Sequence, residues 1–313
     1  MAKPAMIFFS DRRMLSNTGH TWGWLLLLMC LLHPGSELAA HADIDLQIHR
    51  LNRQIACQPD RAELYHQRAE LHRAHHDWSA AGVDFARLRE LQPDYPELDF
   101  LEARYFLDAS QPEKALQRVN RFMDTNPQHV TAMVTRAGVH QALGQCRAAA
   151  LDIGRAIHGS KVRGPELYLL QARLLLQPGC KDPAGSELVM DKALDDVGPV
   201  VALVQLASSL KLFNSKPAAA LGLLEQLPAS VKDLPDWRYR QALGNCLASQ
   251  PGRARNLLEH VQMAINSAPK SRQANWRLVA EAAADLLAKP LNQTSCQAAV
   301  AKQLDHDSRL SGK

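Results

Sequence analysis

The sequence predicts an all-α protein in which pairs of helices form repeating helix-turn-helix units that stack into a right-handed α-solenoid. The first observation is a fixed period, because Pro59, Pro93 and Pro127 are each 34 residues apart. The second is that small residues recur with the same period in two columns, Ala69, Ala103 and Ala137, and Ala81, Ala115 and Ala149. Several columns that share one period indicate an internal repeat, and repeats of this length are typical of stacked helix pairs.

Apolar residues within each unit recur at helical spacing. In the first unit, Leu64 and Leu71 lie in one predicted helix, and Phe85 and Leu88 lie in the next. Each unit therefore predicts two amphipathic helices of about a dozen residues. The alanine columns fall where the two helices must approach closely, at roughly 8–10 Å between their axes. The recurring proline ends the second helix, because it lacks an N–H and disfavours helical geometry in the residue before it.

The first unit combines aromatic residues, small residues and a closing proline in a characteristic order. These residues are Tyr65, Ala69, Trp78, Ala81, Phe85 and Pro93. By this pattern residues 62–160 resemble the tetratricopeptide repeat (TPR) family, as a secreted bacterial member, and Gly144 supplies a turn glycine in the third unit. The chain departs from the family pattern at Arg68, Glu102 and Arg136, where the family usually has leucine. The resemblance implies stacked helix pairs whose first helices line a concave groove for a peptide or a partner helix.

The predicted array occupies most of the chain and contains no linker rich in glycine or serine, so one continuous solenoid is expected rather than two domains. Its segments are a single N-terminal helix at 43–60, three regular units at 62–95, 96–129 and 130–163, degenerate helical pairs with a closing cap at 165–304, and a polar tail at 305–313.

Residues 1–42 have the features of a secretory signal peptide. Lys3, Arg12 and Arg13 provide the positive start, an apolar run occupies 22–32, and Ala40-His41-Ala42 fits a cleavage site. The run is shorter than the roughly 20 residues that a membrane span needs. The expected location is therefore the periplasm, with no stable membrane span after cleavage; the alternative is an uncleaved signal anchor.

Five cysteines follow the predicted cleavage site, so at least one thiol is left without an intramolecular partner. Cys146 and Cys180 fall at neighbouring predicted turns, which makes them the preferred disulfide pair, and Cys246 with Cys296 is a second candidate pair. The alternative is that these cysteines are buried free thiols that pack as small apolar residues.

The charge and the motifs of the chain exclude several classes of function. A formal net charge of +4, from 36 basic and 32 acidic residues, predicts no nucleic-acid partner. Glycine-rich phosphate loops, G-x-S-x-G and C-x-x-C motifs are all lacking from the sequence, so neither an enzyme activity nor a cofactor is expected. A non-repeat catalytic domain in the C-terminal half remains an alternative.

A group of histidines in the first unit suggests another alternative. His66, His72 and His76 lie close in sequence, and the last two are four residues apart, so one helix face could present both to a transition metal. This spacing defines the metal-handling alternative; the simpler interpretation is a polar helix end that faces water.

The resemblance, carried over by register, assigns the groove to the first helix of each unit. The predicted groove residues are Glu63, His66, Glu70 and Arg73 in the first unit, Glu97, Phe100, Arg104 and Asp108 in the second, Gln141 in the third, and Glu166 and Arg173 in the fourth. They form a mixed-charge surface with Phe100 as its apolar anchor. The predicted function is thus a non-enzymatic interaction scaffold or adaptor that binds a protein or peptide partner in the cell envelope.

Overall fold

A computed structural model describes residues 35–309, with side chains described from residue 43 onward. Regular structure within these residues consists of 17 α-helices, and the prediction of an all-α chain built from helix-turn-helix units is confirmed. Most of the predicted signal peptide lies outside the described residues. The described chain divides into two compact units, one up to Tyr95 and the other from Pro96, where the sequence predicted one continuous array.

The first compact unit contains one complete helix pair. Helix α1 (Gly35–Cys57) packs against α2 (Ala62–Ala74), which forms the pair with α3 (Trp78–Leu91). The predicted N-terminal helix is therefore present and starts before the expected position 43.

The second compact unit contains five helix pairs and four further helices, one before the last of these pairs and three after it. The pairs are α4 (Leu98–Asp108) with α5 (Pro112–Thr125), α6 (Val130–Ala142) with α7 (Cys146–Gly159), α8 (Pro165–Leu176) with α9 (Pro183–Val197), α10 (Val201–Phe213) with α11 (Pro217–Glu225), and α13 (Pro235–Leu247) with α14 (Pro251–Ser267). The remaining helices are the short α12 (Ala229–Lys232), then α15 (Lys270–Asn275), α16 (Arg277–Leu287) and α17 (Gln293–Arg309).

The C-terminal region differs from its prediction in two places. The apolar spacing of residues 273–288 predicts one helix there, whereas the structure has a break at Trp276 that separates α15 from α16. Helix α17 continues to Arg309, so the residues expected to start a polar tail at 305 are helical, and Asp307 among them is buried.

Small buried residues mark the closest approach of the helices in every pair. The predicted alanine columns are confirmed, since all six side chains are at most 2% exposed. The first-helix column continues beyond Ala137 at a spacing of 35 residues, through Ala172, Ala207 and Ala242, all fully buried. Ser186, Ala220 and Ala254 take the corresponding place on the second helices of these pairs and are also fully buried. The repeat therefore continues through the region where its period seemed irregular.

The turn after each first helix contains a residue in the left-handed conformation. These residues are His76, Ser110, Gly144, Lys181, Ser215 and Ser249, with φ between 48° and 72°. In five of the six turns, the N–H of the following residue donates to the carbonyl five residues earlier in the chain. Gln145 N–H, for example, donates to the His140 carbonyl at 2.8 Å. This geometry terminates a helix and frees the chain to reverse direction. Glycine occupies only one of the six positions, although this conformation favours glycine.

A salt bridge joins the two helices of each of the first three pairs at equivalent positions. In the first compact unit, Arg68 Nε and Nη2 donate to both carboxylate oxygens of Asp84, at 2.8 and 2.6 Å, and Nη1 donates to Asn52 Oδ1. Asp84 is 2% exposed, so the bidentate pair is largely removed from water. This network connects α1, α2 and α3 through a single guanidinium group.

The second compact unit contains the same arrangement once and a version with reversed charges once. Arg136 donates to both oxygens of Asp152 at 2.7 Å, and its Nη1 donates to Asn120 Oδ1 at 3.1 Å. In the pair before it the signs are reversed, because Glu102 on the first helix accepts from Arg118 Nε at 2.8 Å. The charged residues that depart from the TPR pattern are thus the first-helix partners of these salt bridges.

We expect Gly144→Ala to lower the free energy of unfolding by about 1 kcal/mol, because a β-carbon is strained at φ 72°. Apart from Gly144 and its two chain neighbours, no residue has an atom within 4 Å of the added methyl group, so the loss reports local backbone strain. Gly222→Ala is the control, because Gly222 is exposed inside α11 and its replacement should stabilise by about 0.5–1 kcal/mol. Urea unfolding measures both changes, and equal effects of the two variants would contradict the assigned turn.

Arg136→Leu restores the residue typical of the family and should cost about 3 kcal/mol of unfolding free energy, because it leaves the Asp152 carboxylate buried without its main partner. Adding Asp152→Leu should recover most of that loss, since the unpaired charge is removed as well.

The matched control is Arg155→Leu. Arg155 also reaches Asp152, at 3.2 Å, but its side chain is 62% exposed, so its loss should cost within about 0.5 kcal/mol. If denaturant unfolding gives the two arginine variants equal losses, the buried pair does not hold α6 against α7.

Candidate functional site

Within the second compact unit, the first helices of successive pairs are neighbours in three of four cases. We call the first helix of each pair an A helix; these are α2, α4, α6, α8, α10 and α13. Helix α4 contacts α6, α8 contacts α10, and α10 contacts α13. All the predicted groove residues except Glu97 lie on A helices, as the register requires.

The four predicted groove residues of the first compact unit are engaged with partners in that unit. The Tyr95 hydroxyl donates to the Glu63 carboxylate, and this hydrogen bond lowers the pKa of Glu63. Because the phenol proton is directed at Glu63, His66 Nδ1, at 2.9 Å from the Tyr95 oxygen, must be the donor in that second contact. Burial raises the pKa of Tyr95 to about 12, so its hydroxyl keeps the proton at neutral pH. Arg73 Nη2 donates to Glu70 at 2.9 Å, which pairs the other two residues.

The histidines of the metal-handling alternative are directed to different neighbours. His66 contacts Tyr95, and His72 Nδ1 lies 3.7 Å from Asp77. His76 occupies the left-handed turn, with its ring edge-on to Trp78. Throughout residues 43–309, no group of three or more histidine, cysteine, aspartate or glutamate side chains is arranged to hold a metal ion. The structure therefore does not support the metal-handling alternative.

Phe100 was predicted as the exposed apolar anchor of the groove, and this placement is wrong. Its side chain is 5% exposed and stacks on Phe122, with ring centroids 5.2 Å apart, while His129 contacts the same ring. The guanidinium carbon of Arg104 lies over the same ring, 6.0 Å from its centroid. The error has a physical reason, since six of the eleven residues of α4 are buried and the core extends further round this helix than one amphipathic stripe.

The other predicted residues of pairs two to four have polar side chains at the surface. Asp108, Gln141 and Glu166 are exposed on α4, α6 and α8, and Arg104 is partly buried on α4. Glu97 precedes α4 in the left-handed conformation and so belongs to the loop rather than to the helix face.

Arg173, the remaining predicted residue, is partly buried on α8. Burial lowers the pKa of its guanidinium group, and the negative charge of Asp307 acts in the opposite direction. Its Nε–H is buried without a hydrogen-bond partner. Asp307 belongs to α17, so the chain's own C-terminal helix reaches this part of the predicted groove.

Helix α17 packs against three successive A helices, α8, α10 and α13. Its buried residues are Cys296, Val300, Leu304 and Asp307, which lie on one side of a helix. Leu304 joins the core cluster that contains Leu203, whereas Val300 joins the cluster that contains Tyr239. The sequence indicated a short cap here, and the periodic apolar positions could have predicted a longer helix, but not where it would pack.

Asp307 is the polar centre of this contact. It accepts hydrogen bonds from Arg240 Nη2 at 2.6 Å, Ser209 Oγ at 2.5 Å and Gln205 Nε2 at 3.1 Å, and a fourth from Gln303 of its own helix. Arg240 and Asp307 are each 2% exposed, so the ion pair is buried.

A cavity of about 700 Å³ opens between α13, α16 and α17. Its walls are mainly apolar, with Trp237, Tyr239 and Leu286 among them. Its charged groups largely neutralise one another, since Asp285 pairs with Lys289 at 2.6 Å and Arg240 pairs with Asp307. Burial raises the pKa of the Asp236 carboxyl. This set contains no nucleophile held against a base, so the cavity does not favour the catalytic-domain alternative.

Two disulfides cross-link the second compact unit. Cys146–Cys180 connects the start of α7 to the turn after α8, with the α-carbons 6.0 Å apart. Cys246–Cys296 connects the end of α13 to the first turn of α17, with the α-carbons 6.2 Å apart. Cys57 is an exposed free thiol at the end of α1. Within the part of the chain that the structure describes, no helix is long and apolar enough to cross a membrane.

No family model and no curated protein matches the chain. Among solved structures, it is similar to YrrB, a TPR protein with an unusual peptide-binding site, at 12% identity over 56% of this chain and 90% of that one, with a TM-score of 0.45. A tetratricopeptide repeat protein from Parabacteroides merdae ATCC 43184 gives 14% identity over 80% and 96%, with a TM-score of 0.46.

The type IV pilus biogenesis factor PilW gives 18% identity over 69% of this chain and 94% of that one, with a TM-score of 0.37. Because the identities and TM-scores of these three structures are low, the assignment of TPR-like units rests on the repeats of the chain itself.

We expect Phe100→Ala to lower the free energy of unfolding by about 3–5 kcal/mol, because it leaves a cavity among buried side chains. Phe106→Ala, on the same helix but only partly buried, is the control and should cost less than half as much, because it removes less apolar area from burial. Chemical denaturation measures the free energy of unfolding of both variants. If Phe100→Ala leaves this free energy unchanged, the ring is not part of the core and belongs to the binding face.

Proposed function

We propose that this protein is a non-enzymatic interaction scaffold that binds a partner helix on the faces of its A helices. The observation that carries the proposal is α17, because the chain already places one helix across α8, α10 and α13. Such a contact requires the A helices to present a surface into which another helix can pack, which is the general mode of helix-in-groove recognition.

The face of α4, α6 and α8 is the proposed site for a second protein. Asp108, Gln141 and Glu166 are exposed there on three A helices that follow one another in the chain. Two of these three side chains are acidic, and complementary charge favours a partner helix with basic residues. Arg104 adds one positive charge on α4, which fits an acidic position within that otherwise basic helix.

The cell envelope is the proposed location. Its support is the leader-like composition of residues 1–42 and the presence of two disulfides, which persist in oxidising compartments. The proposed mature chain starts at Asp43. A scaffolding role is also in keeping with the charged groups of the cavity, which pair with each other instead of converging on one point.

Photo-crosslinking in cells tests the proposed face. A photoreactive amino acid placed at Asp108, Gln141 or Glu166 should capture one and the same protein, identified by mass spectrometry. Glu113 and Arg147 are matched control positions, exposed but on the second helices α5 and α7. Adducts are expected at the A-helix positions and reduced at least several-fold at the controls.

Charge-reversal variants provide a second test of the proposed face. Asp108→Lys combined with Glu166→Lys should reduce the adduct at Gln141 about tenfold or more, because like charges placed across an interface disfavour association. Adducts confined to the control positions, or an adduct at Gln141 that is unchanged by charge reversal, would refute the proposed face.

A further inference from the structure

We propose that the face of α8, α10 and α13 is a helix-binding site that selects amphipathic helices carrying a carboxylate, and that α17 occupies it in cis. This inference rests on the proposed function, because it takes the A helices to be helix-binding surfaces, but it concerns a different face. The partner it fits is a helix of a second protein that presents three apolar residues at successive spacings of four, followed by an acidic residue three positions later.

The burial pattern of α17 defines this recognition pattern. Cys296, Val300 and Leu304 are buried at spacings of four residues, and Asp307 follows at a spacing of three. The residues between them are largely exposed, among them Lys302, Asp305 and His306. Helix α17 therefore contacts the face along a narrow stripe, as a bound helix does, instead of being surrounded by core.

The face supplies three donors for one carboxylate. Gln205 and Ser209 on α10 and Arg240 on α13 all donate to Asp307. Ser209 and Arg240 are almost fully buried with α17 in place, and a helix that covered them without offering an acceptor would leave buried donors unpaired, which is unfavourable. The face is thus complementary to an acidic side chain at one defined point, and an uncharged helix would leave these donors unsatisfied.

Two further donors remain unused beside this point. Arg240 Nε–H and Arg173 Nε–H are buried without a hydrogen-bond partner. The aspartate of α17 therefore satisfies only part of the donors that the face offers. A partner helix whose acidic group also reached these atoms would satisfy more of the donors than α17 does, and this is the advantage by which it would compete with α17 for the face.

The disulfide between Cys246 and Cys296 holds the N-terminal end of α17 beside α13. A tethered helix competes with a free one at an effective concentration on the order of millimolar. A partner helix is therefore expected to bind weakly while the tether is intact and much more tightly once α17 can exchange.

The experiment uses the complete chain with a protease site introduced in the exposed segment 288–290, before α17. After cleavage and reduction, all parts of the protein are still present, and α17 can exchange with a labelled peptide. The probe is a fluorescent peptide of residues 293–309 with Cys296→Ser, and its binding is followed by fluorescence anisotropy.

Two peptide variants separate the recognition of the carboxylate from the effect of net charge. Asp307→Asn removes the buried carboxylate and should weaken binding about 30-fold or more. Asp305→Asn removes the same charge from an exposed position of the same helix and should change affinity less than about threefold. The uncut, oxidised protein should bind the unmodified peptide at least tenfold more weakly than the cut, reduced protein.

Hydrogen exchange on the uncut, oxidised chain gives a second readout that needs neither cleavage nor reduction. Asp307→Asn in the full chain should reduce the protection of residues 300–309, whereas Asp305→Asn should not. Helices α10 and α13 should stay protected in both variants, because they form their own pairs with α11 and α14.

The proposal is overturned by any of three results. The first is that the peptide fails to bind the cut, reduced protein, and the second is that the Asp307→Asn and Asp305→Asn peptides bind equally well. The third is that α10 and α13 lose protection together with α17, which would make α17 a fixed part of the core. None of these results bears on crosslinking at the α4, α6 and α8 face, so a failure here is distinguishable from a failure of the proposed function.

Discussion

The close contact between the two helices of each pair is the constraint on which the rest of the structure depends. A methyl or hydroxymethyl side chain is fully buried at that contact in pairs four to six, and the same column is at most 2% exposed in pairs one to three. A larger side chain would separate the helices and open the packing of each neighbouring pair. Because the contact holds each pair as one unit, first helices within the second compact unit can lie side by side, and α17 can lie across three of them.

Much of the fold could be predicted from the sequence because this constraint repeats. Where the turn length is constant, as from His76 to Ser110 to Gly144, the column and the turn share one period. The turn after α8 ends at Lys181, 37 residues beyond Gly144, and includes Pro178 and Gly179. A turn can lengthen without disturbing the contact between the paired helices. The buried small residues therefore continue through pairs four to six, although the period of 34 residues does not.

The candidate site was less predictable, because register identifies the helix but not the exposure of a side chain. Phe100 lies on the expected helix and yet packs into the core, since Phe122 of α5 stacks on its ring and Met133 of α6 belongs to the same buried cluster. Asp307 looked like part of a polar tail, and its main partner, Arg240, is 67 residues away in the chain. No local pattern reports a partner at that separation, so only the folded chain identifies the buried ion pair.

The salt bridges between paired helices have a consequence for how such an array can grow. Asn52, Arg68 and Asp84 have their counterparts at Asn120, Arg136 and Asp152, two pairs further along, whereas the pair between has Ala86, Glu102 and Arg118 at the same positions. Among the first three pairs, the helical pattern repeats with every pair, whereas the charge pattern of the first pair returns only in the third. Within these three pairs, the smallest segment whose duplication preserves the alternation is therefore a tandem of two pairs. In the fifth pair Leu206 and Leu223 stand at the equivalent positions, so the charge alternation ends where apolar packing replaces the salt bridge.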